Sequence, residues 1–207
     1  MVYGEPGVID ILYTYVIIFS YWYTLLRELL EKMPEVSLAL RVLASGHIVP
    51  TALAMMVLAR WFKVTVGTVR AVNQRSLLRS LLATLIAWGL AISLGLLWRT
   101  WLSDPGWTTV LTYWTGRHNA PFPNLAAAAG IALGTASWRQ TWRWSLGCFL
   151  ATGLWAGAQV CLGFYYPMDI VVGSLIGAIV GWMLGSMTWL DRLMGVFVRL
   201  ARRWMLA

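Results

Sequence analysis

The chain has 207 residues, of which 59% are hydrophobic and only 12% are charged, and its mean hydropathy is +0.68. A soluble domain carries about 25% charged residues, so this composition excludes a soluble globular enzyme, a disordered chain and a disulfide-rich secreted chain. We therefore predict an integral membrane protein. The net charge of +8 indicates basic loops on the cytoplasmic face of the membrane, not nucleic-acid binding.

Six stretches that are nearly free of charge follow one another along the chain. A helix needs roughly 20 apolar residues to cross the hydrocarbon core, and fewer where other protein shields it. The predicted transmembrane helices are Ile11–Leu26, Val42–Ala59, Ser80–Trp98, Asn124–Trp138, Trp144–Leu162 and Ile170–Leu190. The predicted fold is all-α, a bundle of about six membrane helices that forms a single domain over residues 1–207.

The fourth and sixth stretches are rich in small residues. The fourth is short and consists almost wholly of Ala, Gly and Leu, which suits a helix packed closely against others. In the sixth, glycines recur at every fourth residue and share one helical face, at Gly173, Gly177, Gly181 and Gly185. We predict that this face is a helix-packing seam.

Basic residues predict the orientation of the bundle. They are concentrated in the second and fourth links between spans and in the tail, so the positive-inside rule places both termini in the cytoplasm. The expected membrane is the inner membrane of a bacterium, and no removable signal peptide is expected. Many of the 14 Trp fall near span ends, as in an interfacial belt. Residues 191–207 alternate apolar and basic side chains and predict an amphipathic helix on the anionic inner leaflet.

The stretch from Ala158 to Gly173 is the most informative for function. It consists of a helix end, a Tyr-Tyr-Pro turn and Asp169 at the start of the sixth span. A carboxylate at the edge of an apolar span is costly unless it is paired, so Asp169 marks a candidate site. The alternative, of equal weight, is a carboxylate that caps the helix N-terminus at the membrane surface.

This stretch resembles the last signature of the type 2 phosphatidic acid phosphatase superfamily, which includes lipid phosphate phosphatases and vanadium haloperoxidase-like proteins. The matching residues, at the family's spacing, are Leu162-Gly163, Tyr166-Pro167, Asp169 and Gly173. Phe122-Pro123 followed by residues 127–129 is similar to the family's middle motif. The resemblance covers about residues 77–190. It implies a six-helix bundle that hydrolyses lipid phosphates or diphosphates at the outer membrane face, with no metal and no cofactor.

Most catalytic positions of that family hold other residues here. By the resemblance, Tyr165 stands at the attacking histidine and Gln159 at an arginine of the last signature, and Asp169 is retained. The Ser, Gly and general-acid His of the middle motif are replaced by Asn124, Leu125 and Ala126. A phenol with an ordinary pKa near 10 is a poor nucleophile at neutral pH, and alanine transfers no proton. The resemblance therefore implies a degenerate member, a pseudoenzyme.

Two histidines are candidate substitutes for the missing ones. His47 belongs to a Ser-Gly-His tripeptide like that of the middle motif, although it lies at the second span. His118 follows Arg117 in the loop before Phe122. Arg99 and Arg117 are candidate phosphate ligands. The simpler interpretations are a chance tripeptide, a solvated loop and an interfacial ion pair of Arg99 with Asp104.

Three functions remain as hypotheses. The preferred one is a non-catalytic structural or accessory subunit of a membrane complex, whose partners are lipids and other membrane-protein subunits and include no nucleic acid. The second is an active phosphatase that hydrolyses a lipid or polyprenyl phosphate at the outer face. The third is a lipid-phosphate binder without turnover, which would use Arg99, Arg117 and Asn124. The first is preferred because the outer face has few cations where this fold would hold phosphate.

Overall fold

The structure is a computed structural model that describes residues 18, 21–26, 28–29, 31–63, 68–101, 122–187 and 189–203. Within these residues it contains helices and no β-strand, so the all-α class is confirmed. The labelled helices are α1 Pro34–Ala44, α2 Ile48–Phe62, α3 Thr68–Trp101, α4 Leu125–Ser137, α5 Trp142–Cys161, α6 Pro167–Ser186 and α7 Trp189–Arg203.

Two to three candidate membrane spans lie in the described part of the chain. Ala71–Trp98 within α3 and the whole of α6 are each long and apolar enough to cross a membrane. Helices α1 and α2 qualify as a third span only when they are taken together, and they are bent by 53°. Helix α4 is apolar but has only 13 residues. These lengths are compatible with an integral membrane protein.

The predicted second span, 42–59, is not one straight helix. The backbone leaves the helical region at Ser45 (φ −57°, ψ 140°), and α2 begins only after His47. Gly46 lowers the helix propensity at this point, and Trp155 Nε1 donates a hydrogen bond to Ala44 O at 3.3 Å. That bond satisfies one of the carbonyls that a helix end leaves free. The prediction of an unbroken span is therefore wrong at residues 45–47.

The third helix is longer than the predicted span Ser80–Trp98. Helix α3 begins at Thr68, so the basic segment before Ser80 is helical. That segment contains neither Gly nor Pro, and nothing in it stops a helix from propagating. Of the predicted first span, 11–26, only residues 18 and 21–26 are described, and they are helical.

The glycine face of α6 packs directly on the backbone of α4, and the predicted seam is confirmed. Each glycine lies against a carbonyl oxygen of α4 or of its capping residue Asn124, and each contact is one turn further along both helices. The pairs are Gly173–Asn124, Gly177–Ala128, Gly181–Ala132 and Gly185–Ala136. A Cβ atom would overlap the first two oxygens and would lie 2.9 and 3.1 Å from the last two. The two helices therefore run parallel, and glycine is what permits their close approach.

The outer surface of the bundle is apolar. Large hydrophobic side chains on six of the seven labelled helices are more than half exposed, among them Leu85, Leu154, Ile179 and Trp182. A soluble monomer rarely exposes this many large apolar side chains, whereas a bilayer solvates them. The buried interior consists largely of small residues, with Ala87, Ala132 and Val180 at its centre.

Candidate functional site

Three polar residues from the predicted site meet inside the bundle. Asn124, Gln159 and Asp169 lie where α4 and α6 begin and where α5 ends, and they are 1%, 8% and 1% exposed. We call these three residues the polar cluster. Buried polar groups in an apolar bundle are costly unless they are hydrogen-bonded, so their partners decide what the cluster can do.

Asn124 connects all three helices. Its Oδ1 accepts a hydrogen bond from the backbone N–H of Ala127 at 2.9 Å, which caps α4. Its Nδ2 donates to Gln159 Oε1 at 3.4 Å, and its backbone N–H donates to the backbone carbonyl of Asp169 at 3.1 Å. The side chain therefore uses both its acceptor and its donor group within the protein.

Asp169 lies in the first turn of α6 and caps that helix. Its Oδ2 accepts a hydrogen bond from the backbone N–H of Tyr166 at 3.1 Å, and Pro167 occupies the first turn of α6. A carboxylate here is stabilised by the free N–H groups and by the positive end of the helix dipole. Of the two interpretations that the sequence left open, the structure shows the helix cap, and it places the carboxylate in the interior instead of at the surface.

The turn between α5 and α6 is shaped by a glycine. Gly163 adopts a φ of +69°, a left-handed conformation that L side chains rarely take. Its N–H donates to Val160 O, and the N–H of Phe164 donates to Gln159 O, each at 2.9 Å. These two bonds form a Schellman motif that ends α5 and turns the chain back toward α6. The motif holds the backbone of Gln159 at the helix end.

Tyr165 follows this turn and is half-buried. Burial raises the pKa of its phenol, and the Asp169 carboxylate raises that pKa further. Both effects keep the phenol protonated at neutral pH, and a protonated phenol is a weak nucleophile. Tyr165, which stands where the resemblance places the attacking histidine, is therefore not activated as a nucleophile.

Leu125 and Ala126 lie apart from the polar cluster. Both line an apolar cavity of about 390 Å³ between α2, α3, α4 and α5, whose wall also includes Trp88 and Trp155. This cavity presents mostly aliphatic and aromatic side chains. The three positions that correspond to the middle motif therefore do not form one site. Asn124 belongs to the polar cluster, whereas Leu125 and Ala126 line the apolar cavity.

The candidate substitutes do not join the cluster where the structure describes them. His47 is exposed at the start of α2, and its side chain makes no capping hydrogen bond. Arg99 lies near the end of α3, but its side chain is outside the described residues, as are the whole of Arg117 and His118. Their suggested roles stay predictions.

Among the described residues, no group of His, Cys, Asp or Glu side chains is arranged to hold a metal ion. Cys148 and Cys161 are both free thiols. The polar cluster offers two amides and one carboxylate, and none of these groups carries a positive charge to a phosphate. The hydrogen bonds that the structure shows for these residues cap α4 and α6 and join the ends of α4, α5 and α6.

The sequence analysis did not identify Arg60 as a site residue. It treats Arg60 only as the charge that follows the second predicted span. The structure places it in the interior at 8% exposure. Its Nη1 and Nη2 donate to Ser137 Oγ and Ser76 Oγ, both at 3.1 Å, and its guanidinium lies 4.5 Å from the ring centroid of Trp144. The available signal was a single arginine at the edge of a charge-free stretch.

Comparison of the chain with protein-family models, with curated proteins and with solved structures gave no match.

Proposed function

We propose that the chain is a non-catalytic subunit of a membrane-protein complex, built as a bundle of about six spans in a bacterial inner membrane with both termini in the cytoplasm. In this proposal the bundle resembles a lipid phosphate phosphatase, and its former catalytic positions serve to hold helices together. The proposal brings together the apolar surface, the glycine seam and the polar cluster.

One observation carries the non-catalytic assignment. Asn124 Nδ2 donates to Gln159 Oε1. Asn124 Oδ1 accepts a hydrogen bond from the backbone N–H of Ala127, and Asp169 Oδ2 accepts one from the backbone N–H of Tyr166. These polar groups are used within the protein, and removing one partner would leave the other buried and unsatisfied. A substrate phosphate would have to break bonds that stabilise the fold.

The apolar exterior supports the subunit role. Helices α3, α5 and α6 expose large side chains such as Leu85, Leu154 and Trp182. In a membrane these side chains contact lipid or other helices through close packing. Partner subunits of a membrane complex are therefore the expected neighbours.

The catalytic half of the proposal is tested by phosphate release. The full chain, purified in mild detergent, is incubated with phosphatidate, lysophosphatidate and undecaprenyl diphosphate, beside the Asp169→Asn variant. We expect the same background release from both proteins. Release by the unaltered chain that is lost in Asp169→Asn would overturn the non-catalytic assignment.

The subunit half is tested by purification of the tagged chain from its own membranes. We expect it to elute together with other membrane proteins in constant proportion. Elution as a monodisperse monomer in mild detergent, with no stoichiometric companion, would contradict the subunit role.

A further inference from the structure

A second polar region lies at the other end of the bundle from the polar cluster. Arg60 is near the end of α2, and it contacts Ser137 at the end of α4, whereas Asn124 caps the beginning of α4. The 13 residues of α4 rise about 20 Å at 1.5 Å per residue. The two regions are therefore separate, and a ligand site around Arg60 does not depend on the subunit role proposed for the chain.

The charge of Arg60 is not balanced by an acidic side chain in the described part of the chain. Its two terminal nitrogens contact the neutral hydroxyls of Ser76 and Ser137, and its Nε is buried with no hydrogen-bond partner among the described residues. A buried guanidinium without a counter-charge is costly in an apolar bundle. An ordinary structural arginine would be expected to pair with a carboxylate.

A cavity of about 300 Å³ lies against this arginine. Its polar wall is formed by Arg60, Lys63, Asn73, Thr141 and Trp144. Trp144 Nε1 is a second buried donor with no partner among the described residues. Arg60 and Trp144, two residues that line this cavity, therefore each contain one buried N–H group without an acceptor among the described residues, whereas buried donors are normally paired.

Two features of the cavity wall favour an anion: its cationic side chains and the N-terminus of a helix. Lys63 adds a second cationic residue to the wall beside Arg60. Helix α5 begins at Trp142, directly after Thr141, so its positive dipole end faces the same region. A phosphate group has the acceptor oxygens and the charge that this wall lacks.

We propose that this cavity binds the phosphate of an anionic membrane lipid. The surroundings favour a lipid over a free ion because Met56 and Ala59 complete the wall, and Phe62 and Trp142 beside it are 59% and 55% exposed. Such exposed aromatic side chains are typical of the membrane interface. The phosphate lies near Arg60 and Lys63, and the acyl chains lie along the apolar exterior of α2.

The experiment measures lipid bound to the full chain by native mass spectrometry, with phosphatidylglycerol, phosphatidylcholine or inorganic phosphate added separately. The variants are Arg60→Gln, Lys63→Gln and Trp144→Phe. The matched control is Arg139→Gln, which removes an exposed positive charge at the same end of α4 but outside this cavity. The control measures the loss of general attraction to anionic lipid.

We expect the unaltered chain to retain phosphatidylglycerol in preference to phosphatidylcholine. Arg60→Gln is expected to lower that retention about tenfold or more relative to Arg139→Gln, because hydrogen bonds to charged groups are the strong ones. Lys63→Gln and Trp144→Phe are expected to lower it by smaller factors. These two variants leave the serine contacts of Arg60 in place, so they test the site even if Arg60→Gln does not fold.

Three results would overturn the proposal. Equal retention in Lys63→Gln, Trp144→Phe and the Arg139→Gln control would show that the cavity is not the binding site. Equal retention of phosphatidylcholine and phosphatidylglycerol would remove the selectivity for an anionic lipid. Displacement of phosphatidylglycerol by inorganic phosphate at equal concentration would assign the site to a free phosphate instead.

Discussion

Arg79 and Asp191 form an ion pair that fastens the C-terminal helix to the bundle. Arg79 Nη1 lies 3.2 Å from Asp191 Oδ1, and the two side chains are 3% and 35% exposed. One turn further along α7, Gly195 leaves room for the guanidinium of Arg75, which a Cβ atom would approach to 3.3 Å. Helix α7, which the sequence predicts at the membrane surface, is therefore held by side chains of α3 as well.

The first prediction concerns this ion pair. Asp191→Asn keeps the shape of the side chain but leaves the buried Arg79 guanidinium without a counter-charge. We expect a loss of about 1–3 kcal/mol in the stability of the α3–α7 contact. Hydrogen exchange of the α7 amides should accelerate in the variant. Arg192→Gln, at the exposed next position, is the control, and equal protection in both variants would contradict the role of the pair.

The second prediction concerns the seam between α4 and α6. In Gly177→Ala the new Cβ overlaps the carbonyl oxygen of Ala128, so the helices must separate. We expect a loss of about 1–3 kcal/mol and a lower melting temperature in detergent. Gly157→Ala in α5 is the matched control, since nothing lies within 4 Å of its Cβ position.

The control variant of the seam is expected to be neutral or stabilising by up to about 1 kcal/mol, because alanine is the better helix former. A melting temperature lowered equally by Gly177→Ala and Gly157→Ala would mean that close packing on α4 is not what requires glycine.

The third prediction separates the two roles of Asn124. Asn124→Ala removes the cap of α4, at about 1 kcal/mol, and also the bond to Gln159. Asn124→Ser keeps a capping oxygen and loses only the bond to Gln159. Thermal unfolding should therefore rank the unaltered chain above Asn124→Ser, and Asn124→Ser above Asn124→Ala. Equal stability of all three proteins would show that the polar cluster does not hold the helix ends together.

The fourth prediction concerns pH. Because burial and Asp169 raise the pKa of Tyr165, its phenol should ionise at a higher pH than exposed tyrosines. The folded state disfavours the ionised phenol. The stability that protonated Tyr165 contributes is therefore fully present below its unfolded pKa of about 10, and it is lost as the pH rises through the folded pKa. An ultraviolet difference titration against Tyr165→Phe measures this. Ionisation of that phenol at or below the ordinary pH would contradict its half-buried position beside a carboxylate.

Composition and periodicity alone were enough to predict several features. The low charge and high hydropathy predict a helical membrane protein, because an uncharged segment of about 20 residues satisfies its own backbone hydrogen bonds in lipid when it forms a helix. The four-residue spacing of Gly173 to Gly185 predicts a packing face, because that spacing returns to the same side of a helix. These properties are local, so a single stretch of sequence contains them.

Only the tertiary structure decided which residues meet. Asn124 bonds to Gln159, and Arg60 bonds to Ser76 and Ser137, across separations that no periodicity encodes. The bend at residues 45–47 likewise involves Trp155, a distant residue whose indole satisfies the carbonyl of Ala44. Hydrophobic patterns show that a helix is buried but not which helix faces it, and the partner of a buried polar group depends on that choice. The sequence by itself therefore determined the all-α class, and the packing of the helices decided which polar residues lie together.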